Sequence, residues 1–122
     1  KTDPSSVYLC ADTGHLYFAG VNPIKFFEKH LQRIKHIHFK DLRLQVLENI
    51  NFQSESFLKS VLKGVFTVPG DGDIDFVSIG NVIKASGYEG WIIVEAEQDP
   101  AIYNPLELAI SSKKYLDKIW SN

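Results

Sequence analysis

His36-Ile37-His38-Phe39-Lys40-Asp41 is the stretch on which the fold turns. In a β-strand successive side chains point to opposite faces. Ile37 and Phe39 then share one face, and His36, His38 and Lys40 the other. The apolar face needs a covering layer, whereas two imidazoles and an ammonium are poor filling for an apolar core. The same asymmetry recurs on either side. In residues 7–12, Val7, Leu9 and Ala11 share a face, and Asp12 lies opposite with Tyr8 and Cys10. In residues 91–97, Ile92, Val94 and Ala96 share a face, and Glu95 and Glu97 lie opposite with Trp91 and Ile93. Each strand is expected to turn polar only toward its C-terminal end.

Helical spacing fills the intervals. Residues 7–11 read as a buried strand followed by a Gly-containing turn. Asn22 is a candidate cap, Pro23 suits a first helical turn, and Ile24, Phe27 and Leu31 fall on one helical face. The strand 34–39 follows. Residues 41–64 are of mixed polarity, with Phe57, Leu58, Val61 and Leu62 suggesting a short helix. Residues 65–68 read as a third short strand, closed by Pro69-Gly70-Asp71-Gly72. Asp75 is a candidate cap for a helix carrying Phe76, Ile79, Val82 and Ile83, which stops near Gly87. Residues 91–94 form a fourth strand. Asn104 before Pro105 opens a last helix with Leu106, Ala109, Ile110, Leu116 and Trp120 on its apolar side. Four strand–helix repeats with no linker predict one α/β unit with a parallel sheet and crossover helices.

Composition excludes several functions. The 122 residues are 44% hydrophobic, too apolar for disorder, and no run approaches a membrane span. Thirteen basic against fifteen acidic residues give no field for nucleic acid or an anionic membrane. One cysteine, Cys10, excludes a disulfide framework and fits a reducing compartment. The chain has no methionine, so it is expected to be trimmed, processed or a piece of something longer.

Ligand sites of parallel α/β folds lie above the carboxyl ends of their strands. Asp12, His38 and Glu95 are expected to converge there from three strands. One imidazole with two carboxylates suits a divalent ion such as Mn²⁺, Co²⁺, Mg²⁺ or Zn²⁺, acting as a Lewis acid on a hydroxy-carbonyl substrate. Asp12-Thr13-Gly14-His15 alone also reads as an ordinary turn with an exposed histidine. Glu95 and Glu97 weigh more, because buried carboxylates cost several kcal/mol, as an order of magnitude, unless paired or metal-bound. Gly70-Asp71-Gly72-Asp73 lacks the lysine and glycine spacing of a phosphate loop, and its aspartates would repel phosphate. It also lacks the glutamate of a calcium loop, the twelfth position falling on Val82. A tight connection is its simplest reading.

Asp12-Thr13-Gly14-His15, His36-Ile37-His38-Phe39-Lys40-Asp41, Pro69-Gly70-Asp71-Gly72-Asp73-Ile74-Asp75-Phe76 and Val94-Glu95-Ala96-Glu97 occur in this order in the xylose-isomerase-like superfamily, which the chain resembles from about residue 7 onward. The superfamily holds sugar isomerases, epimerases and DNA-repair endonucleases on a (β/α)₈ TIM barrel. Residues 64–72 and 95–100 look most like its branch that dehydrates 2-keto-myo-inositol in inositol catabolism. The resemblance implies the C-terminal half of a barrel, strands five to eight with their helices, as a single unit over residues 1–122 with the N-terminal half absent. It implies a cytoplasmic lyase with Asp12, His38 and Glu95 as metal ligands, Mn²⁺ or Co²⁺ foremost. It places His15, Lys40 and Arg43 at the substrate. Glu95 would be the base that takes the α-proton, and His15 or Lys40 the acid for the departing β-hydroxyl. The family's fourth ligand, a glutamate from strand four, is matched by no residue. The partners implied are a small keto-inositol or polyol and either the rest of the barrel or a second copy, with no nucleic acid and no membrane. A metal-dependent ketose isomerase or epimerase, and an inactive half-barrel, are the rival readings. The endonuclease branch is disfavoured by the missing basic field.

Overall fold

The computed structural model describes residues 2–121. Strand β1 (Leu9–Asp12) leads directly into helix α1 (Thr13–Phe18), and helix α2 (Pro23–His30) with a 3₁₀ turn (Leu31–Arg33) leads into β2 (Ile34–Phe39). Next come β3 (Asp41–Leu42), the short helices α3 (Leu44–Leu47) and α4 (Phe57–Leu62), and β4 (Phe66–Thr67). Helix α5 (Phe76–Ala85), β5 (Trp91–Val94) and α6 (Pro105–Trp120) complete the order. The caps fall as the sequence indicated. The Asn22 side chain accepts from the Lys25 amide, Asp75 from Ser78 and Asn104 from Leu106, each satisfying an orphan donor of a helix start.

The sheet is parallel, ordered β1-β2-β5. Asp12 stands opposite His38, and His38 opposite Ile93. Alternation holds on the central strand. From His36 onward, Ile37 and Phe39 are buried beneath Phe27, Phe76 and Ile79 of the covering helices and His36 and His38 lie half-buried on the other face, while a register shift at the strand's start lets Ile34 be buried as well. Phe39 meets Phe76 with ring centroids 4.9 Å apart.

Three local expectations are corrected. Residues 65–68 do not form a further parallel strand. Phe66–Thr67 instead pairs antiparallel with Asp41–Leu42, immediately after β2, and β5 takes the free edge of β2. A four-residue apolar run states that a segment is buried but not which strand it joins. The turn expected after β1 is helical, because the Asp12 side chain caps it by accepting from the His15 amide at 2.9 Å. On α6, Leu106 and Ile110 are 67% and 46% exposed rather than covered, and Val94 of β5 is 38% exposed. The sheet ends at β5, so the first half of α6 has no strand beneath it. The second half docks on α5, where Ile119 lies against Gly80. Among the described residues no helix is long and apolar enough to cross a membrane.

Candidate metal and substrate site

The site grows from the ends of β1, β2 and β5. Asp12 and His38 are at one level of the ladder, and Glu95 lies on the same face one layer higher, held by its amide bonding to the Phe39 carbonyl at 3.0 Å. One ligand atom from each of the three residues lies within 4.8 Å of the other two. His38 Nδ1 is 2.7 Å from Glu95 Oε2 and 3.8 Å from Asp12 Oδ2. Asp12 Oδ2 is buried and has no hydrogen-bond partner among the described residues.

Lys40 is the hub of the cluster. Its side chain is fully buried, and its Nζ lies 2.9 Å from His15 Nε2, 2.9 Å from Glu97 Oε2, and 3.5 Å from both Asp12 Oδ2 and Glu95 Oε2. The Asp-Thr-Gly-His stretch is built around it. The Thr13 hydroxyl accepts from the Lys40 amide at 3.0 Å and donates to the Lys40 carbonyl at 2.7 Å, which locks α1 to the end of β2. Gly14 leaves room for the lysine stem, since a Cβ there would sit 2.8 Å from Lys40 Cγ. His15 follows with its ring against Phe57 and Phe66, at centroid separations of 5.6 and 5.2 Å. An ammonium only donates, so His15 Nε2 accepts and its ring proton sits on Nδ1.

Glu95 sits below the ordinary glutamate range. Partial burial opposes its ionisation, but the Lys40 charge and the His38 hydrogen bond outweigh that cost. Three carboxylates (Asp12, Glu95, Glu97) against one ammonium leave a formal charge of −2 within the cluster. That excess, the orphaned Asp12 oxygen and the mixed nitrogen and oxygen donors fit a divalent cation.

Arg43 is not brought to the cluster. Its guanidinium donates to the Gly64 carbonyl at 2.7 Å, Asp71 at 2.6 Å and Thr67 at 3.1 Å, and it stacks over Tyr103. Asp41 also turns away from the site. Fully buried, it accepts four backbone amides, from Leu42, Gly70, Gly72 and Ile74 at 2.8–3.0 Å, and so folds the glycine–aspartate connection around itself. Burial raises its carboxyl above the ordinary value, against the pull of those amides. Sequence reading had noted Glu97 without giving it a role, and had missed Thr13. The signal for Glu97 was present, as a second inward carboxylate on an apolar strand. Nothing local marked Thr13, whose partner is 27 residues away.

Parallel strands under helices, with carboxylates and imidazoles gathered over the strand ends, define the class: an α/β protein with its site at the carboxyl edge of the sheet. The particular family follows from comparison. The profile of the xylose isomerase-like TIM barrel family matches residues 1–119, and the chain belongs to that family. It is 53% identical to the inosose dehydratase of Clostridium tetani over 117 residues, and 56% identical to that of Lacticaseibacillus casei over 116, covering 96% and 95% of this chain. The chain spans about 39% of the length of these relatives. Among solved structures it resembles a sugar phosphate isomerase/epimerase from Parabacteroides distasonis, with TM-score 0.67, 25% identity, and coverage of 96% of this chain and 33% of that one. A xylose isomerase domain protein from Alicyclobacillus acidocaldarius shares the fold with TM-score 0.64 at 22% identity, over 93% of this chain and 37% of that one.

Proposed function

We propose that the chain is the metal- and substrate-binding part of a hydro-lyase that removes water from 2-keto-myo-inositol (scyllo-inosose). The observation that carries the reading is the meeting of Asp12, His38 and Glu95 within 4.8 Å, in a chain that resembles inosose dehydratases at 50–56% identity. These three residues would hold a divalent ion, Mn²⁺ or Co²⁺ in preference to Mg²⁺ or Zn²⁺. Such an ion supplies Lewis-acid polarisation of the ketone and its neighbouring hydroxyl.

The protein's own residues divide the proton work. Glu95, ionised and directed across the sheet end, is placed to take the proton α to the ketone. His15, 42% exposed, would give the Nδ1 proton to the departing β-hydroxyl, while the buried Lys40, which donates to His15 Nε2, would pass its own proton to that nitrogen and leave the ring neutral. Arg43, whose donors are committed to Gly64, Thr67 and Asp71, would support that loop rather than contact substrate.

We also propose that the chain is a C-terminal half-barrel, inactive by itself. Its support is the apolar inner face at Tyr8, Trp91 and Ile93, which the rest of a barrel or a second copy would cover, together with the greater length of the relatives. The reaction is tested in a polypeptide of the relatives' full length that carries this segment, assayed with scyllo-inosose against ketohexoses. Dehydration that Glu95→Gln abolishes is expected. Turnover of a ketohexose alone would make it an epimerase or isomerase, and a Glu95→Gln protein with normal metal content and rate would remove the role of Glu95.

A further inference from the structure

We infer that Arg43, Asp71, Thr67 and Gln98 form a clasp that positions the segment bearing Glu95 and Glu97. Beyond Val94 the β-ladder stops. The Glu95 amide still reaches Phe39, but the hydrogen bonds that next tie the segment to the preceding loop are those of side chains. Gln98 Nε2 lies 3.2 Å from Thr67 Oγ1, and Thr67 is fully buried on β4. Tyr103 approaches the same loop, stacking under Arg43 at 5.2 Å, with its hydroxyl 2.9 Å from where a Cβ on Gly64 would sit.

Donor and acceptor chemistry fixes the polarity of this chain. Arg43 only donates and Asp71 only accepts. The Thr67 hydroxyl lies 2.6 Å from Asp71 Oδ2, so its single proton goes to that carboxylate. Its oxygen is then left to accept from Arg43 Nη2 at 3.1 Å and from Gln98 Nε2 at 3.2 Å. Gln98 must therefore present its amide nitrogen and not its carbonyl, and a carboxylate in its place would meet an oxygen with no proton to give. The antiparallel β3–β4 pair thus holds the loop that anchors the outermost acids of the site. Gln98 and Thr67 are positioning residues, acting through Glu95 and Glu97.

Hydrogen exchange at the amides of Glu95, Ile102 and Tyr103 tests this in the 122-residue chain. Thr67→Val is expected to accelerate exchange there about tenfold or more while the β1–β2 amides keep their protection, and Thr67→Ser to restore it. Asp71→Asn and Gln98→Glu should each accelerate exchange. Combined, they should recover most of the protection, because the amide introduced at 71 can donate to Thr67, which can then donate to the carboxylate introduced at 98. Unchanged exchange in Thr67→Val, failure of Thr67→Ser to rescue, or multiplicative losses in the double variant would each overturn the clasp. The inference rests on the functional reading only through the importance of Glu95 and Glu97. A parallel Mn²⁺ titration separates the two, since a wild-type chain that binds no Mn²⁺ counts against the metal assignment, while the exchange pattern alone decides the clasp.

Discussion

Where β1 meets β2 the site is fixed by backbone. Asp12 and His38 sit opposite one another in a ladder, Thr13 makes two hydrogen bonds to the Lys40 backbone, and Phe27, Ile37 and Phe39 close the core beneath. Where β5 leaves β2 the site is held by side chains. Trp91 is 74% exposed, Glu97 depends on Lys40, and Gln98 depends on Thr67. The candidate site thus has a rigid side and a more adjustable one. Asp12 and His38 are placed by the β1–β2 ladder, and Glu95 by one backbone hydrogen bond to Phe39 together with its side-chain contacts to His38 and Lys40.

That contrast can be broken most directly at its apolar base. Phe39→Ala is expected to cost about 4 kcal/mol, the range for a large buried aromatic, read as a shift in the urea midpoint at constant slope. A loss under 1 kcal/mol would show that the β1–β2 side is not the rigid one. Asp41→Asn should cost about 2 kcal/mol despite its near-identical shape, because the amide group would face the Gly70 and Gly72 donors with a donor of its own. Equal stability of the two proteins would remove Asp41 as the organiser of the connection.

The adjustable side should show itself in acid. The carboxyl of Glu95 is held below its ordinary value in the folded chain, so the unfolded chain binds that proton first. The stability it contributes is complete above the unfolded value, near about pH 4.3, and is lost as pH falls through the folded one. Unfolding midpoints measured from pH 6 to pH 3 should therefore fall less steeply in Glu95→Gln than in the wild type, and parallel curves would contradict the Lys40 and His38 pairing. The smallest effect is expected at Trp91→Ala, within about 0.5 kcal/mol, because the ring lies in solvent. A loss above 1 kcal/mol would mean that the inner face is covered in solution, which sedimentation velocity would reveal as a second copy.

Most of the candidate site was legible because strand alternation and residue chemistry are local. Asp12, His38 and Glu95 each lie at or next to a strand's C-terminal end on its polar face, and no packing detail was needed to bring them together. The surroundings of Arg43 were not legible, for the complementary reason. Four residues beyond Phe39, it is placed at the substrate by the resemblance, but its donors are taken by Gly64, Thr67 and Asp71, which lie 21 to 28 residues away. Likewise Leu106 and Ile110 make a sound helical stripe, yet periodicity cannot say where the sheet beneath a helix ends.

Local sequence was enough for the helix starts at Asn22, Asp75 and Asn104, and for the two-faced strands that put acids and imidazoles at one edge. It was enough because capping and side-chain alternation depend on residues a few positions apart. Long-range packing is what turns residues 66–67 back onto Asp41–Leu42 and leaves β5 beside β2. Such pairing depends on contacts between distant segments, and a short buried run carries no label for its partner. The same holds for Lys40: its buried ammonium is tolerable only because three carboxylates from two other strand ends surround it, and no single stretch of the chain contains them all.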